Sequence, residues 1–208
     1  MTKLIKNIIF DVGNVLFNYN PAQIIDNLIP NSTHKQFYLD NVFNSEHWQL
    51  MDRGDLSLSK LQEILQKTHN SSSQQQKDID ILVNNFTKHL TLNEDMKELF
   101  NRMSTYYNVY ILSNFQSLPF KQLLKDNPFL SKAKGIVVSA DVMMKKPEIG
   151  IFHFLLSQYR IIPQQSLFID DLEDNIKTAK KLLINTIHFK SYTQTMKQIQ
   201  SLKLLEQQ

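Results

Sequence analysis

The run Ile8-Ile9-Phe10-Asp11-Val12-Gly13-Asn14-Val15-Leu16-Phe17 constrains this chain more than any other stretch, because it is apolar on both faces and broken by one carboxylate followed by glycine and asparagine. A strand without a polar face belongs inside a parallel sheet covered by helices, and the carboxyl ends of such strands are where open α/β sheets bind ligands. Asp11 is therefore the first candidate functional residue. Aspartate is also a common turn residue after a strand, so on this run alone a ligand-binding carboxylate and a turn cap remain equal readings.

The rest of the chain extends that reading. Residues 18 to 95 read as helices. Pro21 suits a first turn carrying Ile24, Ile25 and Leu28, and a second helix covers Lys35 to Phe43. The chain breaks at Gly54, and Ser57 or Ser59 caps a helix carrying Leu58, Leu61 and Leu65. Arg53-Gly54-Asp55 reads as a turn rather than an adhesion signal. The polar run Asn70-Ser71-Ser72-Ser73-Gln74-Gln75-Gln76 reads as an exposed loop, and Ile79 to His89 and Asp95 to Met103 as amphipathic helices. From residue 106, short apolar strands (Val109–Leu112, Lys134–Ser139, Ser166–Ile169, Thr186–Phe189) alternate with helices (Ile149–Tyr159, Asp174–Leu183), and Tyr192 to Leu205 reads as a surface helix. That alternation predicts an α/β fold, a parallel sheet with helices on both faces.

Composition removes several classes of function. The 208 residues, 42% of them hydrophobic, suffice for one large domain or a core with a smaller insert. With no cysteine, disulfides, thiolate metal sites and cysteine nucleophiles are excluded, any metal must use oxygen or imidazole ligands, and a reducing compartment fits. The first residues lack an adequate signal-peptide core, and no apolar run reaches the roughly 18 residues of a membrane span. A soluble, cytoplasmic protein with no membrane partner is expected. Net charge is +3, but lysines are scattered among acids rather than gathered with aromatics, which argues against a nucleic-acid partner.

Four segments at or near strand ends carry the chemistry. They are Asp11, the pair Ser113-Asn114, the step Lys145-Lys146-Pro147 before a helix, and the acidic pair Asp170-Asp171. If all reach the carboxyl edge of one sheet, they converge on one crevice. Three carboxylates there repel one another unless a divalent cation binds between them, and oxygen-only ligation points to Mg²⁺. The Ser113 hydroxyl, the Asn114 N–H and the Lys146 ammonium would hold an anion beside it. Metal and anion together suggest phosphate, with Asp11 placed to attack phosphorus and form an aspartyl-phosphate. Each segment alone has an ordinary reading: a helix N-cap for Asp170-Asp171, a plain loop for Lys145-Lys146-Pro147, a turn for Ser113-Asn114.

These segments, as Phe10-Asp11-Val12-Gly13-Asn14-Val15-Leu16, Leu112-Ser113-Asn114, Lys146-Pro147-Glu148 and Ile169-Asp170-Asp171 with Asn175, resemble the four motifs of the haloacid dehalogenase-like (HAD) hydrolase superfamily. The Asp-x-Gly-Asn-Val form and Met51-Asp52-Arg53-Gly54-Asp55-Leu56-Ser57 are similar to the branch that includes α-D-glucose-1-phosphate phosphatases. The resemblance implies a Rossmann-like core of residues 1–17 and 96–208 with a helical cap, 18–95, inserted after the first strand. It implies Asp11 as nucleophile and metal ligand, with the Gly13 carbonyl and Asp171 completing the protein ligands of Mg²⁺ and Asp170 supporting the metal through water or a neighbouring ligand. Asp11, Val12, Gly13, Ser113, Asn114 and Lys146 would surround the phosphoryl group, Asp11 and Lys146 being the catalytic pair. The expected activity is a Mg²⁺-dependent phosphatase of a small phosphorylated metabolite, such as a sugar phosphate.

One departure matters. Most phosphatases of the superfamily carry a second aspartate two positions after the nucleophile, as general acid and base, where this chain has Gly13. Such assistance is typically worth about 10²–10⁴ in rate. Its absence predicts a preference for esters with weakly basic leaving groups, and Gly13→Asp should raise activity most towards poor leaving groups unless glycine is there for a left-handed backbone that aspartate would strain. A haloacid dehalogenase proper is the second reading, disfavoured because that chemistry needs no metal and the chain has an acidic pair. A catalytically weak protein that binds metal and phosphate is the third.

Overall fold

The computed structural model describes residues 4–204. Its centre is β1, Asn7–Phe10, where the apolar run begins, and every residue of that strand is buried. Alternate side chains face opposite layers, as the two-residue period of a strand requires. Ile8 and Phe10 join one apolar cluster with Val109, Ile111, Leu167 and Ile169, and Ile9 joins the other with Tyr110, Leu112 and Phe168. At about 1.5–3 kcal/mol for each large apolar side chain fully buried, this two-sided burial dominates the stabilisation of the sheet.

The run stops being a strand at Asp11. Residues 12–16 form a turn, and the chain re-emerges as β2, Phe17–Asn18, which pairs antiparallel with β3, Thr91–Leu92. Everything between the two arms of this ribbon is helical or turn. The main sheet is completed by β4 (Asn108–Ser113), β5 (Gly135–Val138), β6 (Ser166–Asp170) and β7 (Asn185–His188), in the order β5-β4-β1-β6-β7 with every neighbouring pair parallel. After β1 the chain moves to one side of it and after β5 to the other. The crevice at such a reversal opens at the carboxyl ends of β1, β4 and β6. Among the described residues no helix is long and apolar enough to cross a membrane.

Several local expectations change. The polar run 70–76 is not a loop throughout: Ser72 and Gln75 form a capping box that starts the helix Ser73–Asn85, and Ser71 is buried. The reciprocal side-chain to backbone bonds satisfy two free N–H groups, which outweighs the low complexity of the stretch. The helix from Lys35 becomes a π turn over Leu39–Phe43, and the helix read from Ile79 tightens to a 3₁₀ turn at Phe86–His89. Residues 117–126 form a helix that the sequence reading leaves unassigned; Pro119 falls in its first turn, where it costs no hydrogen bond. The last helix is Tyr192–Ser201, and Leu205 lies outside the described residues.

Gly54 ends the helix Glu46–Arg53 in a left-handed conformation, φ 89°, and a Cβ there would lie 2.8 Å from the Ala140 carbonyl oxygen. Gly54→Ala therefore meets both an unfavourable backbone region and a main-chain clash. Urea unfolding should show a loss of about 1–3 kcal/mol.

Candidate active site

The strand ends converge. Asp11 follows β1 directly, and its N–H still donates to the Ile169 carbonyl at 3.0 Å, so its position is fixed by the sheet. One of its oxygens accepts from the Val12 N–H at 2.7 Å, and the same atom lies 2.8 Å from the Lys146 Nζ. Lys146 comes from the segment after β5 and is itself buried. Asn114, just past β4, fixes its backbone from both sides: Asn114 Nδ2 donates to the Lys146 carbonyl, and the Lys146 N–H donates to Asn114 Oδ1, each at 2.8 Å. The ammonium then reaches Asp170 Oδ2 at 2.7 Å.

Asp170 and Asp171 divide their work. Asp170, fully buried at the end of β6, accepts from Lys146, from the Leu172 N–H at 2.8 Å and from Asn175 Nδ2 at 2.9 and 3.0 Å. Both of its oxygens are occupied by protein donors, so it anchors Lys146 and carries no free oxygen toward the crevice. Asp171 is partly exposed, accepts from Asn14 Nδ2 at 3.2 Å and faces the cavity.

Electrostatics within this cluster are strained by burial. Desolvation raises the Asp11 carboxyl above the usual carboxylate range; Lys146 pulls it back, and Asp170 and Asp171 push it further up. The Asp171 carboxyl is raised for the same first reason, with Asp170 adding repulsion. Burial alone would lower Lys146, but Asp11 and Asp170 outweigh it and hold the ammonium protonated. One oxygen from each of Asp11, Asp170 and Asp171 lies within 4.8 Å of the others. With Asp170 engaged by protein donors, Asp11 and Asp171 offer the oxygens, and a hard oxygen-donor set with surplus negative charge fits Mg²⁺. Beside it, the Ser113 Oγ is buried and finds no hydrogen-bond partner among the described residues, a donor available to an anion.

Asp11, Val12, Gly13, Asn114, Lys146 and Asp171 line one cavity, while Ser113 and Asp170 lie buried next to it. Gly13 has no left-handed φ, and a Cβ there would meet nothing within 4 Å. The backbone therefore does not demand glycine at this position. Phe17, Tyr19, Trp48, Phe86 and Phe115 make most of the remaining wall, and Asp52 is set among them. The sequence reading names none of these wall residues as site residues: Tyr19, Trp48, Asp52 and Phe86 lie in the segment between the strands of the main sheet, and Phe17 and Phe115, though close to strand ends, carry no polar group to mark them. A signal existed for Asp52: it follows Trp48 by four residues, on a helical face that is otherwise apolar.

Residues 8–189 match the sequence profile of the haloacid dehalogenase-like hydrolases. The chain belongs to this family. The hydrolase is 25% identical over 206 residues to a sesquiterpene phosphatase of Aspergillus oryzae, covering 97% of this chain and 98% of that one. It is 25% identical over 194 residues to a D-ribitol-5-phosphate phosphatase of Bacteroides thetaiotaomicron, covering 88% and 91%. It also matches a drimenol cyclase of Aspergillus calidoustus at 24% identity, but spans only 36% of that relative's length. A HAD family enzyme of Bacteroides thetaiotaomicron, solved in complex with magnesium and inorganic phosphate, superposes with a TM-score of 0.70 at 26% identity, over 89% of this chain and 94% of that one.

The two neighbouring lysines of this hydrolase separate cleanly. Lys145 Nζ donates to Gln49 Oε1 at 2.8 Å, whereas Lys146 is enclosed between two carboxylates. Lys146→Met keeps most of the volume but leaves buried carboxylates unpaired, and should cost about 3–5 kcal/mol in denaturant unfolding with the metal chelated. Lys145→Ala should stay within about 0.5 kcal/mol of the wild type in the same measurement.

Proposed function

We propose that this protein is a Mg²⁺-dependent phosphatase of a small phosphorylated metabolite, working through an aspartyl-phosphate on Asp11. The observation that carries the reading is the Lys146 ammonium, buried and shared at 2.8 and 2.7 Å between Asp11 and Asp170, with the Asp171 carboxylate beside it. A phosphoryl group bearing about two negative charges repels an anionic nucleophile, so the site must neutralise one before the other approaches. Mg²⁺, held by Asp11, Asp171 and the Gly13 carbonyl, supplies that neutralisation when bound.

The chain's own groups do the rest. Lys146 orients the Asp11 carboxylate and contributes the fixed positive charge on the other side of the phosphoryl group. The Ser113 hydroxyl and the Asn114 N–H hold phosphoryl oxygens, and Asp170 keeps Lys146 in place. The free oxygen of Asp11 attacks phosphorus, the ester oxygen leaves, and water later cleaves the aspartyl-phosphate. The helical segment between β2 and β3 acts as a cap: it closes the crevice with Trp48, Asp52 and Phe86 and excludes water from the reaction.

The substrate class is narrowed by that wall. Phe17, Tyr19, Trp48, Phe86 and Phe115 offer few hydrogen-bonding partners to a polyhydroxylated leaving group, so an ester with at least one apolar face fits better than a fully solvated sugar. A sugar phosphate such as α-D-glucose 1-phosphate would have to turn a ring face to these aromatics. The relatives named above span both cases, acting on a sesquiterpene ester and on a sugar-alcohol phosphate.

A panel of phosphorylated metabolites assayed for phosphate release, with Mg²⁺ and with a chelator, tests the reading. Release should require the metal, and halide release from a 2-haloacid should be absent. Asp11→Asn should abolish turnover in a folded protein, because the amide keeps the shape but loses nucleophilicity and charge. Asp171→Ala should weaken Mg²⁺ binding, measured by calorimetry, far more than Ser113→Ala. Equal metal affinities in the last two variants would contradict the division between metal ligand and phosphate donor.

A further inference from the structure

Gly13 leaves the reaction without the acid that usually follows the nucleophile, yet nothing in the backbone requires glycine there. The cavity wall supplies another carboxyl. Apart from the cluster around Lys146, the ionisable side chains that line the cavity are Tyr19 and Asp52. Resting on the phosphatase reading above, we propose that Asp52 is the general acid and base of this enzyme: it protonates the departing ester oxygen and later activates the water that cleaves the aspartyl-phosphate.

The geometry fixes Asp52 over the crevice by contacts on several sides. Its own carbonyl accepts a hydrogen bond from the Ser139 hydroxyl, at the carboxyl end of β5. The next residue, Arg53, donates to Glu148 at 2.9 Å and to Asp55 at 2.6 Å. On the preceding turn of the same helix, Gln49 accepts from Lys145. The last turn of the helix is thereby tied to the segments that carry Lys146. Trp48, one helical turn earlier, lines the same cavity, so the i, i+4 face of this helix is the face turned to the substrate.

The surroundings suit an acid. Burial pushes the Asp52 carboxyl up to about 8, against the opposing pull of the Gln116 amide and the more distant Lys145 charge. It therefore carries its proton at neutral pH, and a donor poised near the working pH is the most effective kind. The groups that face it are Tyr19, whose phenol stays protonated, Gln116, Lys145 on Gln49, and Arg53 bound by Glu148 and Asp55. Gln116 lies two residues beyond Asn114 on the loop after β4, within about 8 Å of it along the chain, so Asp52 is anchored next to the loop that holds the phosphoryl group. The Tyr19 Oη lines the same cavity and is buried without a hydrogen-bond partner among the described residues, leaving a donor near Asp52 that a leaving-group oxygen or a water can use.

The proton balance closes. As the Asp11 oxygen bonds to phosphorus and the ester P–O bond breaks, the proton on Asp52 passes to the departing oxygen, giving the alcohol. Water then attacks phosphorus, its proton goes to Asp52, and the Asp11–phosphorus bond breaks to release phosphate. Asp52 ends the cycle protonated, as it began.

The test compares two esters of similar shape, p-nitrophenyl phosphate with an acidic leaving group and benzyl phosphate with a basic one, in the Mg²⁺-loaded protein. Asp52→Asn should slow single-turnover cleavage of benzyl phosphate by about 10²–10⁴-fold while changing that of p-nitrophenyl phosphate only slightly. With p-nitrophenyl phosphate the variant should show a burst of one p-nitrophenol per enzyme and accumulate protein heavier by one phosphoryl group. Introducing Gly13→Asp into Asp52→Asn should recover benzyl phosphate cleavage, a rescue that a purely structural role for Asp52 does not predict. Equal losses on both esters without a burst, or no loss on benzyl phosphate, would overturn the role of Asp52. In the unaltered protein, which needs no variant to fold, the benzyl phosphate rate should fall as pH rises through about 8 while the p-nitrophenyl burst does not. The same fall for both esters, or for neither, would overturn the proposal too. A wild type that turns over neither ester and forms no phosphorylated protein would instead overturn the phosphatase reading itself, and Asp52's role with it.

Discussion

The buried Lys146 ammonium is the interaction on which the rest of this site depends. It bridges Asp11 and Asp170 inside the protein, where an unpaired charge of either sign would be very costly. Asp170 is saturated by Lys146, Asn175 and the Leu172 N–H, so its role is to hold the lysine rather than to meet a ligand. When all are ionised, three carboxylates face one ammonium, and two negative charges are left for a dication to balance. The cluster is thus neither a finished salt bridge nor an empty acidic patch. It is built to be completed by a metal and an anion together, which explains why the Asp11 and Asp171 carboxyls sit above their ordinary range without them.

Sheet topology supplies the convergence. The parallel order β5-β4-β1-β6-β7 brings the residues after β1, β4, β5 and β6 to one edge, although up to 160 positions separate them. This much was legible in the sequence, because buried parallel strands are apolar runs whose ends are marked by the first polar residue. Asp11, Ser113 and the Asp170-Asp171 pair all stand at such ends. The helices were legible where an apolar stripe ran through them. They were misread where the deciding event was a local hydrogen bond, as at Ser72 and Gln75, and the helix Ser117–Asp126, with Pro119 in its first turn, went unassigned. The ribbon of β2 and β3 has two residues in each strand, too short for any period to register.

The site was legible only in its phosphate half. Its residues follow from strand ends, whereas the wall that meets the leaving group comes from Tyr19, Trp48, Asp52 and Phe86, placed by packing of helices against the sheet edge. In sequence, Trp48 is an ordinary core residue and Asp52 an acid near a turn. Only the spacing of four between them hints that an aspartate shares the face of Trp48 that lines the cavity. The aromatic contacts that gather this wall, Trp48 with Phe86 and Phe86 with Phe115, join residues far apart along the chain. No local pattern encodes that meeting.

The aromatic wall and the raised carboxyl are consequences of one another. The aromatics Phe17, Tyr19, Trp48, Phe86 and Phe115 that share its cavity reduce the solvation of the partly buried Asp52, and the same loss of solvation that raises its carboxyl strengthens the charges around Lys146. An acid at position 13 would have stood on the loop that also presents the metal ligand, within the field of Asp11 and Asp171, and its charged form would have added to their repulsion. An acid on the helix of residues 46–53 is separated from that field and tuned by apolar neighbours and by Gln116 instead. The arrangement has a further cost and use. Buried Trp48 and Met51 and the Ser139 bond to the Asp52 carbonyl seat the helix, while the half-exposed contacts at its rim, Arg53 with Glu148 and Lys145 with Gln49, are each worth little on their own. Proton delivery is then complete only while the helical segment is seated on the crevice, so the chemistry and the exclusion of water depend on the same docked arrangement.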